Sequence, residues 1–225
     1  MAETLNREST KENIVRVSTR MFLETGYTAT TVQMVCEELK ISKGNFTFYF
    51  PTKEYVLTEL VKMFCKFQEK LIDYEADEGL SSVMSICIEL MTVAAACEES
   101  DAARDFFVSA FQSSMCLECF RENHVKRAKK LFGENCKGWT HERFVEAEIL
   151  VQGIEYATIM SNTASVPLEL RIAAALNQIL GIYNIPDEKR KEKIDKVIAM
   201  DCRALGKRVM KEFTEYVEKE NGQAT

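Results

Sequence analysis

The chain has 225 residues, 46% hydrophobic and 28% charged, with a net charge of −6. That balance excludes a disordered chain, which would bury too little apolar surface to offset its conformational entropy, and the length allows one or two domains with a sizeable core. The longest uncharged stretch, Ile172 to Pro186, is fifteen residues and includes Asn177, Gln178 and Asn184; a membrane span needs roughly 20 apolar residues, so none is expected.

Three prolines, nine glycines and few alternating β-branched runs predict an all-helical chain. Ser9-Thr10-Lys11-Glu12 fits a capping box opening a first helix, with Ile14, Val17, Met21 and Phe22 on one face. Gly26 ends it, as the residue that best tolerates a left-handed backbone. Thr30-Thr31-Val32-Gln33 is a second capping box, for a short helix with Val32, Val35, Cys36 and Leu39 on one side. Lys40-Ile41 is a tight connection, and Ser42 caps a third helix that turns Phe46 and Phe50 inward. A fourth helix runs from about 53 to 75, with Leu57, Leu60, Val61, Phe64 and Leu71 on one side. Helices follow over about 80–98, 101–114, 116–133, 140–163 and 167–183, and one long helix spans 187–219. Pro167 is expected in the first turn of its helix, and Asp187 caps the last. That last helix carries Ile194, Val197, Ile198, Leu205, Val209, Phe213 and Val217 as its apolar side.

Three short helices, the last two separated by a turn of about three residues, describe a helix-turn-helix unit. With Phe46 and Phe50 buried, Lys43, Gly44, Asn45, Thr47 and Phe48 remain for the face that meets a groove. The first 53 residues carry seven Lys and Arg against six Asp and Glu, so the acidic excess lies downstream. For nucleic acid, the local placement of charge counts for more than the total.

The stretch Phe22-Leu-Glu-Thr-Gly26-Tyr27, then Thr30-Thr31-Val32-Gln33-Met34-Val35-Cys36, then Ile41-Ser42-Lys43-Gly44-Asn45-Phe46-Thr47-Phe48-Tyr49-Phe50-Pro51-Thr52-Lys53-Glu54 resembles the TetR family of bacterial transcription regulators. The resemblance covers about the first quarter of the chain. It implies an N-terminal helix-turn-helix DNA-binding domain over 1–53 and an all-helical effector-binding and dimerisation domain over 54–225. It implies a phosphate contact for Thr31, base-facing positions for Gln33, Lys43, Gly44, Thr47 and Phe48, and backbone-phosphate contacts for Asn45, Tyr49 and Lys53. It further implies a homodimer through about 167–219, a near-palindromic double-stranded DNA operator and a small-molecule effector that releases a repressor from it. The chain departs from the family's pattern at Lys40, where Gly is usual, at Thr47, where an aromatic residue is common, and at Phe48, where His or Tyr is common.

Candidates for an apolar effector pocket are Met84, Cys87, Met91, Phe106, Phe107, Phe111, Phe120, Tyr156 and Met160, since Met and Phe suit adaptable cavities; the plainer reading of each is core. Glu148 and Glu155, seven apart, share a helix face and could pair with a cationic ligand, against a solvated or ion-paired face. Cys116-Leu117-Glu118-Cys119, with His124, Cys136 and His141 beyond it, lacks the paired spacing of a metal site, and buried or partly exposed thiols are expected. Trp139 is expected to anchor its loop, and Lys189 to Lys193 to form a solvated face. Two histidines and no GxSxG, P-loop or GxGxxG pattern argue against an enzyme, so no catalytic residue, metal or cofactor is assigned. The N-terminus shows no basic region followed by an apolar run, and a cytoplasmic location is expected. The alternative to a DNA-binding regulator is a helical small-molecule or partner-binding protein with little DNA binding, separable by a salt titration with duplex DNA.

Overall fold

The computed structural model describes residues 2–77, 82–161 and 166–222. Its regular elements are helices: α1 (Ala2–Glu24), α2 (Val32–Leu39), α3 (Lys43–Tyr49), α4 (Lys53–Asp77), α5 (Ser82–Glu99), α6 (Asp101–Gln112), α7 (Ser114–Phe132), α8 (His141–Met160), α9 (Leu168–Ile182), α10 (Asp187–Ile198) and α11 (Cys202–Gly222). Among the described residues no helix is long and apolar enough to cross a membrane.

Several helix ends differ from expectation, each for a local reason. Ser9 lies inside α1, because Ala2 to Arg7, mostly good helix formers, continue the helix upstream. The cap of α2 is Thr31, whose hydroxyl accepts from the Met34 N–H at 3.2 Å. Thr30 instead donates its hydroxyl back to the Gly26 carbonyl at 2.7 Å. The long C-terminal helix is two: α10 stops in a turn at Ala199-Met200, and Asp201 accepts from the Ala204 N–H to start α11. Pro167 and Pro186 sit one residue before their helices, and Asp187 pairs with Arg190 rather than capping.

Two apolar clusters hold the chain together. The first runs from α1, α2 and α3 through α4 into α6, the start of α7 and the end of α11, and includes Phe22, Phe46, Leu57, Phe64, Phe107 and Phe213. The second joins α5, the end of α7, α8, α9 and α10. The helix-turn-helix unit therefore shares a core with the downstream helices, and α4 carries it there through Val56, Leu57, Leu60 and Val61, all fully buried. Helix α5 is apolar nearly all round because it packs against α4, α6, α8, α9, α10 and α11. Its crossing with α11 is closest at Gly206, where an added Cβ would stand 2.9 Å from both the Ala96 nitrogen and the Thr92 carbonyl oxygen.

Candidate nucleic-acid interface and effector cleft

The turn between α2 and α3 closes on Lys40, which takes the left-handed conformation (φ 53, ψ 41) that glycine usually supplies. The Ile41 N–H then returns to the Cys36 carbonyl at 3.0 Å. Ser42 caps α3 by accepting from the Asn45 N–H at 3.1 Å. Phe46 and Phe50 are buried beneath the helix, and Phe48 stands 68% exposed on the opposite face, edge-on to Tyr49. Lys43, Gly44, Asn45 and Thr47 are exposed beside it, and Tyr49 is half-buried. Thr31 and Gln33 are exposed on α2, where the Gln33 amide donates to Glu37 at 2.8 Å.

Lys53 is placed differently from the other candidates. Its ammonium donates to the Tyr27 and Thr30 carbonyls at 2.6 and 2.7 Å and lies 4.1 Å from the Tyr27 ring centroid. It binds the α1–α2 turn to the start of α4, and burial lowers its pKa. The same turn is gripped from α6. Asp105 accepts from the Thr28 N–H and the Thr28 hydroxyl, both at 2.6 Å, and sits against Gly26 (φ +103) so closely that a Cβ there would meet its carboxylate at 2.8 Å. A third tie joins Glu54 of α4 to the Ser113 hydroxyl, the cap of α7. No sequence signal marks Asp105, since its partner lies 77 residues away.

Behind these ties, α4, α5, α6, α7 and α8 border a narrow cleft, part of it open to solvent. Its apolar wall includes Phe64, Ile86, Leu90, Phe107, Phe111, Phe120 and Ile159, with Phe111 and Phe120 stacked at 5.3 Å. Of the nine expected pocket residues, Phe107, Phe111 and Phe120 line it, and Tyr156 stands just behind, 6.1 Å from Phe111 between ring centroids. Met84, Cys87 and Met91 fill the second core and Phe106 the first, while Met160 is exposed on the outside of α8.

The cleft also carries polar residues that pair across helices. Glu148 is buried and paired, the ion-paired alternative and not the solvated one: the Tyr183 hydroxyl donates to one of its oxygens and His124 Nδ1 lies 3.6 Å from the other. Burial would raise the Glu148 pKa, but the hydrogen bond and charge of His124, the Tyr183 hydroxyl and Arg127 outweigh it and hold the carboxyl below its usual value. Burial pulls His124 down, and its bond to Glu148 more than restores it. Arg127 faces Glu89, with Nη2 donating to Oε1 at 3.0 Å and Nη1 standing 2.7 Å from Oε2. Glu155 lies between these pairs on the cleft wall, and burial pushes its pKa up to about 7.

The cysteine and histidine candidates are dispersed. Cys116 packs on the Thr58 hydroxyl, Cys119 faces Cys65, Cys136 faces the Tyr183 carbonyl, and His141 meets Lys129. Among the described residues no three His, Cys, Asp or Glu side chains converge as metal ligands would. Trp139 packs on Phe144 and Tyr183 under the Arg143 guanidinium.

The outer surface of α8 and α9 carries the exposed large apolar side chains Ile149, Leu150, Met160 and Leu170, with Gly153 and Ala157 between them on α8. The expected pairing segment, 167–219, shares only α9 with this stripe. The apolar side of α11 is turned inward, Val209, Phe213 and Val217 being buried against α1, α4 and α5.

Residues 14–60 match the family model for bacterial regulatory proteins, tetR family. The chain is 29% identical over 119 residues to the HTH-type transcriptional regulator HbdR of Aromatoleum sp. (strain CIB), a match covering 53% of this chain and 51% of that one. It is 25% identical over 179 residues to the HTH-type transcriptional regulator YxaF of Bacillus subtilis (strain 168), covering 73% of this chain and 92% of the relative. The chain thus spans about half the length of HbdR and most of YxaF. A crystal structure of a gamma-butyrolactone receptor (ArpA-like protein) is similar with a TM-score of 0.44 at 16% identity, over 92% of this chain and 99% of that one.

Proposed function

We propose that this chain, whose residues 14–60 match the TetR family of bacterial regulatory proteins, is a dimeric repressor that binds a near-palindromic operator in the cytoplasm and leaves it when a small molecule fills the cleft. The observation that carries this reading is the split of α3. Phe46 and Phe50 fix it to the core, while Lys43, Gly44, Asn45, Thr47 and Phe48 face outward together. Lys43 suits guanine O6 or N7, and Phe48 suits a thymine methyl. Thr31, Gln33, Asn45 and Tyr49 flank that face and contact the groove edge or phosphates; Lys53 acts chiefly by holding the turn that supports it.

Two such heads require a second copy, and the α8–α9 stripe is the surface we assign to it. Gly153 and Ala157 let two α8 helices approach closely, and Ile149, Leu150 and Leu170 supply apolar area of the kind a homodimer interface buries. The route from cleft to DNA runs along α6, which carries Phe107 and Phe111 on the cleft wall and Asp105 on the Thr28 turn. A ligand that binds better when α6 is displaced shifts the population toward heads that no longer match the operator.

Selection of duplexes from a random pool on the purified chain tests this. Enrichment of a two-fold symmetric sequence, with sedimentation showing a dimer that Ile149→Glu/Leu150→Glu splits, supports the proposal. Absence of any enriched duplex at low salt overturns it in favour of a helical ligand-binding protein without a DNA target.

A further inference from the structure

The cleft holds more unmatched hydrogen-bonding capacity than an apolar ligand would tolerate. The Gln68 side chain on α4 is 5% exposed, and its amide oxygen has no hydrogen-bond partner. On the opposite wall, Glu155 of α8 lines the cleft, and the two cations nearest it are already engaged: Arg127 with Glu89, and His124 with Glu148. His124 Nε2 is also buried without a partner. A buried acceptor left unmatched destabilises the fold, and a carboxylate withdrawn from water without a counter-ion does so more. Both losses are recovered when a ligand brings donors and positive charge to the same place.

Given the cleft as the effector site, we infer that its ligand is an amphipathic organic amine, its aromatic or aliphatic body between Phe107, Phe111 and Phe120 and its ammonium between the Glu155 carboxylate and the Gln68 amide oxygen. The charges around the cleft favour a cation over an anion. The groups facing Glu155 are Glu89 from α5, His124 and Arg127 from α7, and Glu148 from its own helix. Three carboxylates thus stand against one guanidinium and the His124 imidazole, so an anionic ligand would add to an existing excess of negative charge. Aromatic faces beside the carboxylate add cation–π attraction. The raised pKa of Glu155 fits a site whose counter-ion arrives with the ligand.

Calorimetry on the full chain with three probes of one shape, 4-phenylbutylamine, 4-phenylbutanol and 4-phenylbutyrate, tests the assignment. At pH 8 the amine is expected to bind at least about tenfold more tightly than the alcohol or the carboxylate. Glu155→Gln should remove most of that preference and leave alcohol binding within about twofold, which also shows that the variant is folded. Equal or tighter binding of the alcohol or carboxylate, an amine affinity unchanged in Glu155→Gln, or no binding by any of the three overturns it. Duplex release separates this inference from the effector reading. Amine binding that depends on Glu155 but leaves DNA affinity unchanged keeps the ligand class and sinks the effector role. Release of DNA by the alcohol or carboxylate, but not by the amine, does the reverse.

Discussion

Asp105 of α6 holds Thr28, between α1 and α2, by both its backbone N–H and its hydroxyl, each at 2.6 Å. One carboxylate from a helix that walls the cleft thereby fixes the turn on which α2 and α3 are mounted. Asp105→Ala should lower stability by about 1–2 kcal/mol, the lower part of the range for hydrogen bonds to a charged group because the site is exposed. It should also reduce operator affinity and weaken the ability of a cleft ligand to release DNA. Urea denaturation beside duplex titration checks both, and unchanged coupling in a folded Asp105→Ala would remove α6 as the route.

Lys40 occupies a left-handed position without glycine's freedom. Lys40→Gly should stabilise the chain by about 0.5–1 kcal/mol, while Lys40→Val should destabilise it by more than that, because a β-branched residue is strained there. Thermal melts of the two variants bracket the wild type if the turn is as described.

Much of the helix-turn-helix unit was legible because its signals are local. Ser42 caps α3, Gly26 is left-handed, and Phe46 and Phe50 lie on the buried face, all readable from neighbours within a few residues. The candidate cleft was not legible in the same way. Spacing puts Glu148 on a helix face shared with Glu155 but does not name its partner, because Tyr183, which donates to it, lies 35 residues downstream. Met84, Cys87 and Met91 have the chemistry of pocket residues, but the packing of α5 between six helices turns them into core. No Gly or Pro marks the break at Ala199-Met200, and only Asp201 hints at a new cap.

Gly206 allows α11 to lie backbone to backbone on α5. Gly206→Ala gains helix propensity of about 1 kcal/mol but places a methyl 2.9 Å from two backbone atoms of α5. Overpacking of that kind costs about 1–3 kcal/mol, and the clash should win, giving a net loss in a denaturant titration. A net gain would mean that the two helices can separate freely.

Glu155 gives stability a pH dependence of definite sign. Its pKa is about 7 in the fold against 4.5 unperturbed, so the folded chain holds a proton that the unfolded chain releases. Below pH 4 both states are protonated and the group contributes no difference. Stability then falls as pH rises from about 4.5 to about 7 and stays lower above it, by an amount on the order of 3 kcal/mol. Glu155→Gln should match the wild type near pH 4 and exceed it at pH 8; the opposite ordering at pH 8 would mean that the carboxylate is already well paired in the empty cleft.

The central claim is that the exposed face of α3 reads DNA. Its most direct test is a titration of the selected duplex with wild-type chain and with Lys43→Ala over a range of salt concentrations. Wild-type affinity should fall steeply with salt, and Lys43→Ala should lose about tenfold at fixed salt with a shallower slope and an intact dimer. Equal affinity and equal slope in the two proteins would contradict it.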